Sequence, residues 1–205
     1  MSDNVSEHYF TENPQSEHDI QTITYNIPNT NETLTLNTDS GVFSRDRVDF
    51  GSNLLIKTCV PKANSKVLDI GCGYGVIGIS LAKRDNSLNI LMADVNNRAV
   101  KLANENAQIN KVKAQAIQSD SFTNISENFD YILINPPIRA GKKVINAILT
   151  ETYTHLSNMG ELYIVVRKRQ GGPSMQTFCQ ELFGNCEKVN KSGGYWILKS
   201  VKTDN

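Results

Sequence analysis

An asparagine and two prolines, Asn135-Pro136-Pro137, directly follow the apolar stretch Phe129–Ile134. Consecutive prolines fix φ, remove two N–H donors and hold the preceding residue extended. The side-chain oxygen of Asn135 and the main-chain carbonyl of Asn135 or Pro136 are then free to accept hydrogen bonds from an NH₂ group. The exocyclic amine of guanine or adenine is a poor nucleophile because its lone pair is delocalised into the ring. Two acceptors would aim that lone pair at an electrophile, so that catalysis is largely orientation and stabilisation of developing positive charge.

A glycine-rich segment follows another apolar stretch, Lys66–Ile70. Glycines have no Cβ where a ligand must approach the backbone, and they permit positive φ in a tight turn. The pattern fits two classes of cofactor, because Gly73, Gly75 and Gly78 also match the G-x-G-x-x-G fingerprint of dinucleotide binding. The residues expected to contact the cofactor here are Asp69, Gly71, Cys72, Gly73 and Gly75.

Two further acidic residues follow predicted strands. Asp94, with Val95 beside it, can accept hydrogen bonds from both ribose hydroxyls of either cofactor class. Asp69 favours S-adenosyl-L-methionine, because its carboxylate would hold the ammonium of a methionine moiety, directly or through water, and would repel dinucleotide phosphates. Asp120, next to Ser121, can accept from the adenine amino group. The sequence therefore favours S-adenosyl-L-methionine over a dinucleotide.

The elements that must position these residues alternate between strands and helices. The apolar periodicity predicts a parallel sheet covered on both faces by helices, and Ser192–Gly194 joins two closing strands into an antiparallel hairpin. We thus expect a doubly wound α/β fold with a mainly parallel seven-stranded sheet, in which ligands bind beyond the carboxyl ends of the strands. The predicted strands are 66–70, 88–93, 114–118, 129–134, 161–167, 187–191 and 195–201, and the predicted helices are 49–60, 76–84, 96–109, 142–156 (closed near Gly160) and 175–183.

The first 40 residues are polar and rich in turn-forming residues. Gln21–Ile27 and Glu32–Leu36 alternate as two strands around the turn Pro28–Asn31. This pattern predicts an N-terminal extension with a β-hairpin, residues 1–48, before a catalytic domain of residues 49–205.

The bulk properties of the 205 residues narrow the class of protein. The formal net charge is zero, which argues against a broad nucleic-acid grip but allows a local one. No apolar run approaches the length of a membrane span, and the N-terminus has no secretion signal. The four cysteines form no C-x-x-C pair, so we expect no metal site and reduced thiols in a cytoplasmic protein, whose oligomeric state the sequence leaves open.

Basic residues cluster at two places after predicted strands, with a smaller group at Arg45 and Arg47. Any one cluster can be ordinary solubilising charge at the end of an element. Their position near the expected site instead favours contact with RNA phosphates. The residues expected to contact RNA are Arg139, Lys142, Lys143, Arg167, Lys168 and Arg169, together with Ile138.

The glycine loop and the Asn-Pro-Pro triplet together resemble class I amino-N methyltransferases. The segment Gly41–Asp46, continued by Asp49–Ser52, more specifically resembles the RsmC-like small-subunit rRNA guanine-N2 methyltransferases, over roughly residues 8–200. The resemblance implies a short, single-domain form of that family. The chain departs from the longest members at Ile138, where they tend to carry an aromatic residue that a flipped base can stack on.

The resemblance also implies a role for each motif. Asp69 and the loop glycines would hold the methionine end of the cofactor, Asp94 the ribose and Asp120 the adenine. Asn135 and Pro136 would hold the target amine, with Asn135 also beside the cofactor. Phe43 and Ser44 would line the pocket of the cofactor or of the target.

Four functions compete on these observations. Guanine-N2 methylation of small-subunit rRNA fits best. N-methylation of adenine or of a protein glutamine amide presents a similar NH₂ group, although the glutamine enzymes usually carry tyrosine where Ile138 stands. An RNA-assembly factor that binds the cofactor without turnover, and a dinucleotide oxidoreductase, are the remaining alternatives.

Overall fold

The computed structural model describes residues 12–14, 16–137 and 141–203. Nine strands and five helices alternate along this part of the chain. The strands are β1 (Gln21–Asn26), β2 (Thr33–Thr38), β3 (Lys66–Ile70), β4 (Asn89–Asp94), β5 (Ala114–Gln118), β6 (Phe129–Ile134), β7 (Leu156–Arg167), β8 (Glu187–Ser192) and β9 (Tyr195–Val201). The helices are α1 (Phe50–Thr58), α2 (Val76–Arg84), α3 (Asn97–Ile109), α4 (Lys142–His155) and α5 (Gly172–Phe183).

Seven strands form one sheet in the order β5-β4-β3-β6-β7-β9-β8. The first five strands in that order pair in parallel, and β9 pairs antiparallel with both β7 and β8. This topology confirms the predicted doubly wound α/β fold with its C-terminal antiparallel hairpin. Strand order reverses between β3 and β6, so the carboxyl ends of these two strands flank the crevice where such folds bind ligands.

The central strands are apolar on both faces because helices cover both. Val67 of β3 points into a layer of side chains shared with α1, α2 and α3, whereas Leu68 points into the opposite layer with α4 and α5. Both side chains are fully buried. A continuous apolar run is what a parallel strand between two helical layers requires.

The hairpin β1–β2 packs on the same core as the main sheet. Leu34 and Leu36 are fully buried and belong to the cluster that contains α2 and α3. Asn106 of α3 and Asn110, the C-cap of that helix, also pair with the edge of β2. Asn106 exchanges hydrogen bonds of 2.7 and 2.9 Å with the backbone of Asn37, and Asn110 exchanges bonds of 3.0 and 2.7 Å with that of Thr35. These amides cover part of a strand edge that would otherwise be open to association. The division of the chain at residue 48 stays a prediction.

Two elements begin earlier than the sequence predicted. Strand β7 starts at Leu156 rather than Glu161, because Leu156 pairs with Phe129 of β6, and the backbone of Met159 and Gly160 pairs with that of Lys202 at 2.8 and 2.9 Å. Gly160 therefore lies inside a strand and does not close α4. Helix α5 starts at Gly172 rather than Met175, with a proline in its first turn, where the missing N–H costs nothing.

None of the helices in the described ranges is long and apolar enough to cross a membrane.

Candidate active site

A cavity of about 420 Å³ opens over the carboxyl ends of the central strands. It lies where the topology places ligand sites in doubly wound folds. The structure brings most of the predicted site residues to its wall: Phe43, Ser44, Gly71, Cys72, Gly73, Asp94, Val95, Asp120, Ser121, Asn135, Pro136, Pro137 and Arg167. No group of three or more potential metal ligands occurs among the residues described.

The glycine loop turns from β3 into α2 with its backbone facing the cavity. The N–H groups of Gly71 and Cys72 donate to the carbonyl of Ala93 at 2.8 and 3.0 Å, which joins the loop to the end of β4. Gly71 has φ +70°, and a Cβ on it would meet no atom within 4 Å. The space that such a Cβ would fill is therefore open to a ligand.

Gly75 does not line the cavity, unlike Gly71. It caps α2 with φ +90°, and a Cβ there would lie 2.9 Å from the side chain of Ile79 and 3.1 Å from that of Ala103. Gly75 therefore allows the helix to start close to its neighbours, and the predicted contact of Gly75 with the cofactor stays a prediction.

Asp94 ends β4 at the wall of the cavity and holds the glycine loop in place. Its Oδ2 accepts from the N–H of Gly73 at 2.8 Å, and its Oδ1 accepts from the N–H of Asn96 at 2.9 Å. Desolvation raises the pKa of Asp94, and these two hydrogen bonds oppose that shift. Because a carboxylate offers about four acceptor sites, it can also accept from ligand hydroxyls.

Asp69 lies behind the glycine loop and does not line the cavity. Its side chain is completely buried, and Oδ2 accepts from the N–H of Gly78 at 3.0 Å. Oδ1 has no hydrogen-bond partner within the described chain. Burial, with a smaller contribution from the charge of Asp94, raises the pKa of Asp69 to about 7. The predicted contact between this carboxylate and the cofactor stays a prediction.

Cys72 lies in the loop wall as a protonated thiol. Burial is the main cause that raises its pKa well above the ordinary value, and the nearby carboxylates of Asp94 and Asp69 add to it. Nucleophilic chemistry requires the thiolate form, so this cysteine is suited to contact rather than to covalent catalysis.

The loop after β5 forms the far wall of the cavity. The main-chain carbonyl of Asp120 accepts from both the N–H and the hydroxyl of Thr123, at 3.1 and 2.7 Å. Ser121 adopts a positive φ of 53° and donates its hydroxyl to Glu151 of α4 at 2.5 Å. The carboxylate of Asp120 is left exposed at the rim, where it can accept from a ligand amine.

Asn135 stands on the opposite wall, at the end of β6, with its amide group turned toward α1. The side-chain nitrogen Nδ2 donates to Ser52 Oγ at 2.9 Å and lies 3.4 and 3.3 Å from Asp49 Oδ1 and Oδ2. Asp49 also caps α1, where its Oδ1 accepts from the N–H of Ser52 at 3.1 Å. Asp49 and Ser52 both line the cavity.

The sequence did not predict this function of Asp49 and Ser52. They appeared in it as part of a resembling segment and as the start of a helix. Asp49 lies 86 positions and Ser52 lies 83 positions before Asn135 in the sequence. No local pattern signals such a contact.

Arg167 lies at the end of β7, where the sequence predicted a basic residue near the site. Its Nε donates to the hydroxyl of Tyr195 at 2.6 Å, and its guanidinium carbon lies 4.9 Å from the centre of that ring. The Tyr195 ring also packs against Phe50, with centroids 5.4 Å apart. Tyr195, which the sequence did not single out, therefore restrains Arg167 at the wall of the cavity.

Four other predicted RNA contacts, Lys142, Lys143, Lys168 and Arg169, do not line the cavity. Lys142 and Lys143 are exposed in the first turn of α4, and Lys168 and Arg169 are exposed after β7. Ile138 and Arg139 lie outside the described residues. Binding of RNA by these side chains stays a prediction.

Comparison with known proteins places these features in context. The model of the methyltransferase small domain family matches residues 33–199. The uncharacterized protein YbxB of Bacillus subtilis is 46% identical, over 97% of this chain and 100% of its own length. Ribosomal RNA small subunit methyltransferase C of Escherichia coli is 32% identical over 83% of this chain, which matches 50% of that protein.

Solved structures give the same picture of the fold. The T. thermophilus 16S rRNA N2 methyltransferase RsmC, in complex with AdoMet and guanosine, superposes with a TM-score of 0.78 and 25% identity. The match covers 89% of this chain and 50% of that one, so the chain spans about half the length of these RsmC proteins. A methyltransferase from Pyrococcus furiosus, at 18% identity and a TM-score of 0.65, shares the fold. These matches confirm the resemblance that the sequence motifs indicated.

Proposed function

We propose that this chain, which belongs to the methyltransferase small domain family, transfers the methyl group of S-adenosyl-L-methionine to guanine N2 in small-subunit rRNA. The observation that carries the proposal is that one cavity is lined both by a cofactor loop and by the Asn-Pro-Pro triplet. A methyl donor bound at the loop would therefore lie beside the proposed acceptors for an amine. The kinship with RsmC proteins supports guanine N2 as the amine.

The residues on the cofactor wall fit S-adenosyl-L-methionine. The open space at Gly71 admits a ligand against the backbone, and Asp94 presents a carboxylate to ribose hydroxyls. The buried Oδ1 of Asp69 lacks a partner in the described chain, and in its ionised form this carboxylate would supply negative charge behind the loop for the ammonium of a methionine moiety. Asp120 at the rim can accept from the adenine amine.

When bound, S-adenosyl-L-methionine supplies an electrophilic methyl group on a positively charged sulfur. Asn135 Oδ1 and the main-chain carbonyl of Pro136 would accept hydrogen bonds from the two hydrogens of the target amine. These bonds turn the nitrogen lone pair toward the methyl carbon and stabilise the positive charge that develops on the nitrogen. The nitrogen–carbon bond forms as the carbon–sulfur bond breaks, and the amine then loses one proton to solvent.

Mass mapping of rRNA modifications tests the proposal directly. Small-subunit rRNA from a strain that lacks the gene should have lost one N2-methylguanosine that the parent strain contains. The purified protein should restore that methyl group on rRNA, or on subunits, from the deletion strain. Loss of a methyladenosine would identify adenine as the target instead. An unchanged rRNA map together with no transfer in vitro would contradict an rRNA substrate.

A further inference from the structure

We infer that Asp49 is a positioning residue, which fixes the orientation of the Asn135 amide so that its oxygen, and not its nitrogen, faces the target amine. The inference rests on the proposed function and goes beyond it by assigning this task to Asp49, the N-cap residue of α1. It starts from the contact of Asn135 Nδ2 with Asp49 and Ser52.

An asparagine side chain can place either its oxygen or its nitrogen toward a given neighbour. The wrong orientation would point NH₂ hydrogens at the hydrogens of the target amine, and no bond would form. An ionised carboxylate only accepts hydrogen bonds. The Asp49 carboxylate, 3.3 Å from Nδ2, therefore selects the orientation that directs the amide nitrogen toward α1.

Ser52 alone could not make that selection. Its hydroxyl, 2.9 Å from Asn135 Nδ2, can both donate and accept, so it would tolerate either orientation of the amide. Ser52 is nearly fully buried, which holds its oxygen at the position that Nδ2 requires. The charge of Asp49 therefore fixes the orientation and the hydroxyl of Ser52 fixes the position.

The helix cap gives Asp49 its own fixed place. Its Oδ1 accepts from the N–H of Ser52, so the first turn of α1 holds the carboxylate independently of Asn135. The negative charge polarises the amide and makes its oxygen a better acceptor for an amine that becomes positive. One residue thus links the start of α1 to the wall of the cavity.

Asp49→Asn is the sharpest test because asparagine is as good a helix cap as aspartate. The variant keeps the cap and the size of the side chain, but it loses the charge and can accommodate either orientation of Asn135. We expect methyl transfer in single turnover to fall by roughly tenfold to a hundredfold, the range for a weakened transition-state hydrogen bond. Cofactor affinity and Tm should stay as in the wild type. Asp46→Asn, which removes an exposed carboxylate from the same loop, is the matched control and should stay active.

In an Asn135→Asp variant, the substitution Asp49→Asn should raise methyl transfer rather than lower it. In Asn135→Asp, the new carboxylate would face Asp49 at about the distance that now separates Nδ2 from it, and the two charges would repel. Adding Asp49→Asn to that variant supplies an amide that donates to the new carboxylate and leaves its other oxygen for the target amine. We expect the second substitution to raise the activity of Asn135→Asp severalfold, whereas it lowers that of the wild type. A purely structural role of Asp49 would lower activity in both backgrounds.

Several outcomes overturn the inference. If the Asp49→Asn variant transfers methyl groups at the wild-type rate, Asp49 is not needed to orient Asn135. If the variant also loses cofactor affinity or has a lower Tm, Asp49 belongs to the cofactor pocket or contributes to folding. Failure of the proposed function gives a different result, since the wild type itself then transfers no methyl group to rRNA. In that case the ¹⁵N-edited side-chain amide resonances of Asn135 decide: a clear shift in Asp49→Asn but not in Asp46→Asn supports the orientation, and unchanged resonances refute it.

Discussion

The two walls of the cavity are built in different ways. The cofactor wall consists of loops that follow the adjacent strands β3, β4 and β5, and main-chain N–H groups such as that of Gly73 are its main internal links. The target wall is assembled from side chains, with Asn135 of β6 held by Asp49, and Arg167 of β7 held by Tyr195. A wall made of backbone suits a cofactor that does not change, whereas a wall made of side-chain pairs can be altered by single substitutions. The comparison predicts that substitutions on the target wall change the rate, and that those on the cofactor wall change affinity.

Asn135→Ala should give the largest effect and leave the cofactor wall intact. Loss of one preorganised hydrogen bond to the target amine lowers methyl transfer by roughly a hundredfold or more. Affinity for S-adenosyl-L-methionine should change little if the amide faces the target, as proposed. Single-turnover methylation of small-subunit rRNA, beside calorimetry of the cofactor, measures both. Parallel loss of rate and cofactor affinity would mean that Asn135 contacts the cofactor as well as the target. An unchanged rate would mean that the Asn-Pro-Pro triplet is only a structural turn.

Asp94→Ala should show the reverse pattern. The variant loses the charge-assisted hydrogen bonds to the ribose and the bond that fixes Gly73, and charged hydrogen bonds contribute about 1.5–3 kcal/mol each. We expect the affinity for S-adenosyl-L-methionine to fall by roughly tenfold or more, while methyl transfer at saturating cofactor falls much less. Calorimetry and a saturation series measure these two quantities. Unchanged affinity would count against the ribose contact.

Asp69 should make cofactor binding depend on pH, with a smaller amplitude. Its pKa is raised to about 7 by burial, so the carboxyl is protonated at pH 5.5 and largely ionised at pH 8. A positively charged ligand favours the ionised form and releases a proton on binding. Affinity should therefore rise severalfold as the pH increases toward about 7 and then level off, and calorimetry in two buffers of different ionisation enthalpy measures the proton released.

The isosteric variant Asp69→Asn is the control for that profile. It keeps an acceptor for the N–H of Gly78 and should flatten the pH dependence of affinity.

The pH dependence of the stability of the free protein tests the direction of the pKa shift of Asp69. Because the folded pKa lies above the ordinary value, Asp69 contributes stability at low pH that is lost as the pH rises through about 7. If wild type and Asp69→Asn show the same pH profile of affinity, the carboxylate does not sense the cofactor.

Neutralising Lys142 and Lys143 should give the smallest effect, on RNA affinity alone. Each phosphate contact contributes roughly 0.7–0.9 to the slope of log affinity against log salt, so Lys142→Gln with Lys143→Gln should reduce that slope by about one and a half. Lys111→Gln with Lys113→Gln, a pair of exposed lysines before β5 at the opposite edge of the sheet, is the matched control. Equal slopes for the two double variants would make Lys142 and Lys143 ordinary surface charge.

Local patterns predicted most elements of the main sheet to the residue. The strands β3, β5, β6 and β9 and the helix α2 have the predicted bounds, because apolar runs of this length between turn residues leave few alternatives. The errors occurred where pairing with a distant part of the backbone sets the end of an element, as at the start of β7, which depends on pairing with Phe129 and Lys202. In the site, the sequence treated Asp69 and Gly75 like the other loop residues, whereas the structure places both behind the cavity wall.

The sequence by itself determined the sheet, the loop after β3 and the set of polar residues at the strand ends. The period of the apolar residues, the spacing of the glycines and the chemistry of the prolines are local properties of the sequence. In a parallel sheet, the carboxyl ends of the strands necessarily meet at one edge. Only the tertiary structure decided which side chains meet across that edge. Asp49 reaches Asn135 because α1 packs on β7 and β9, next to β6, and Tyr195 reaches Arg167 because β9 pairs with β7. These contacts depend on the packing of the whole sheet.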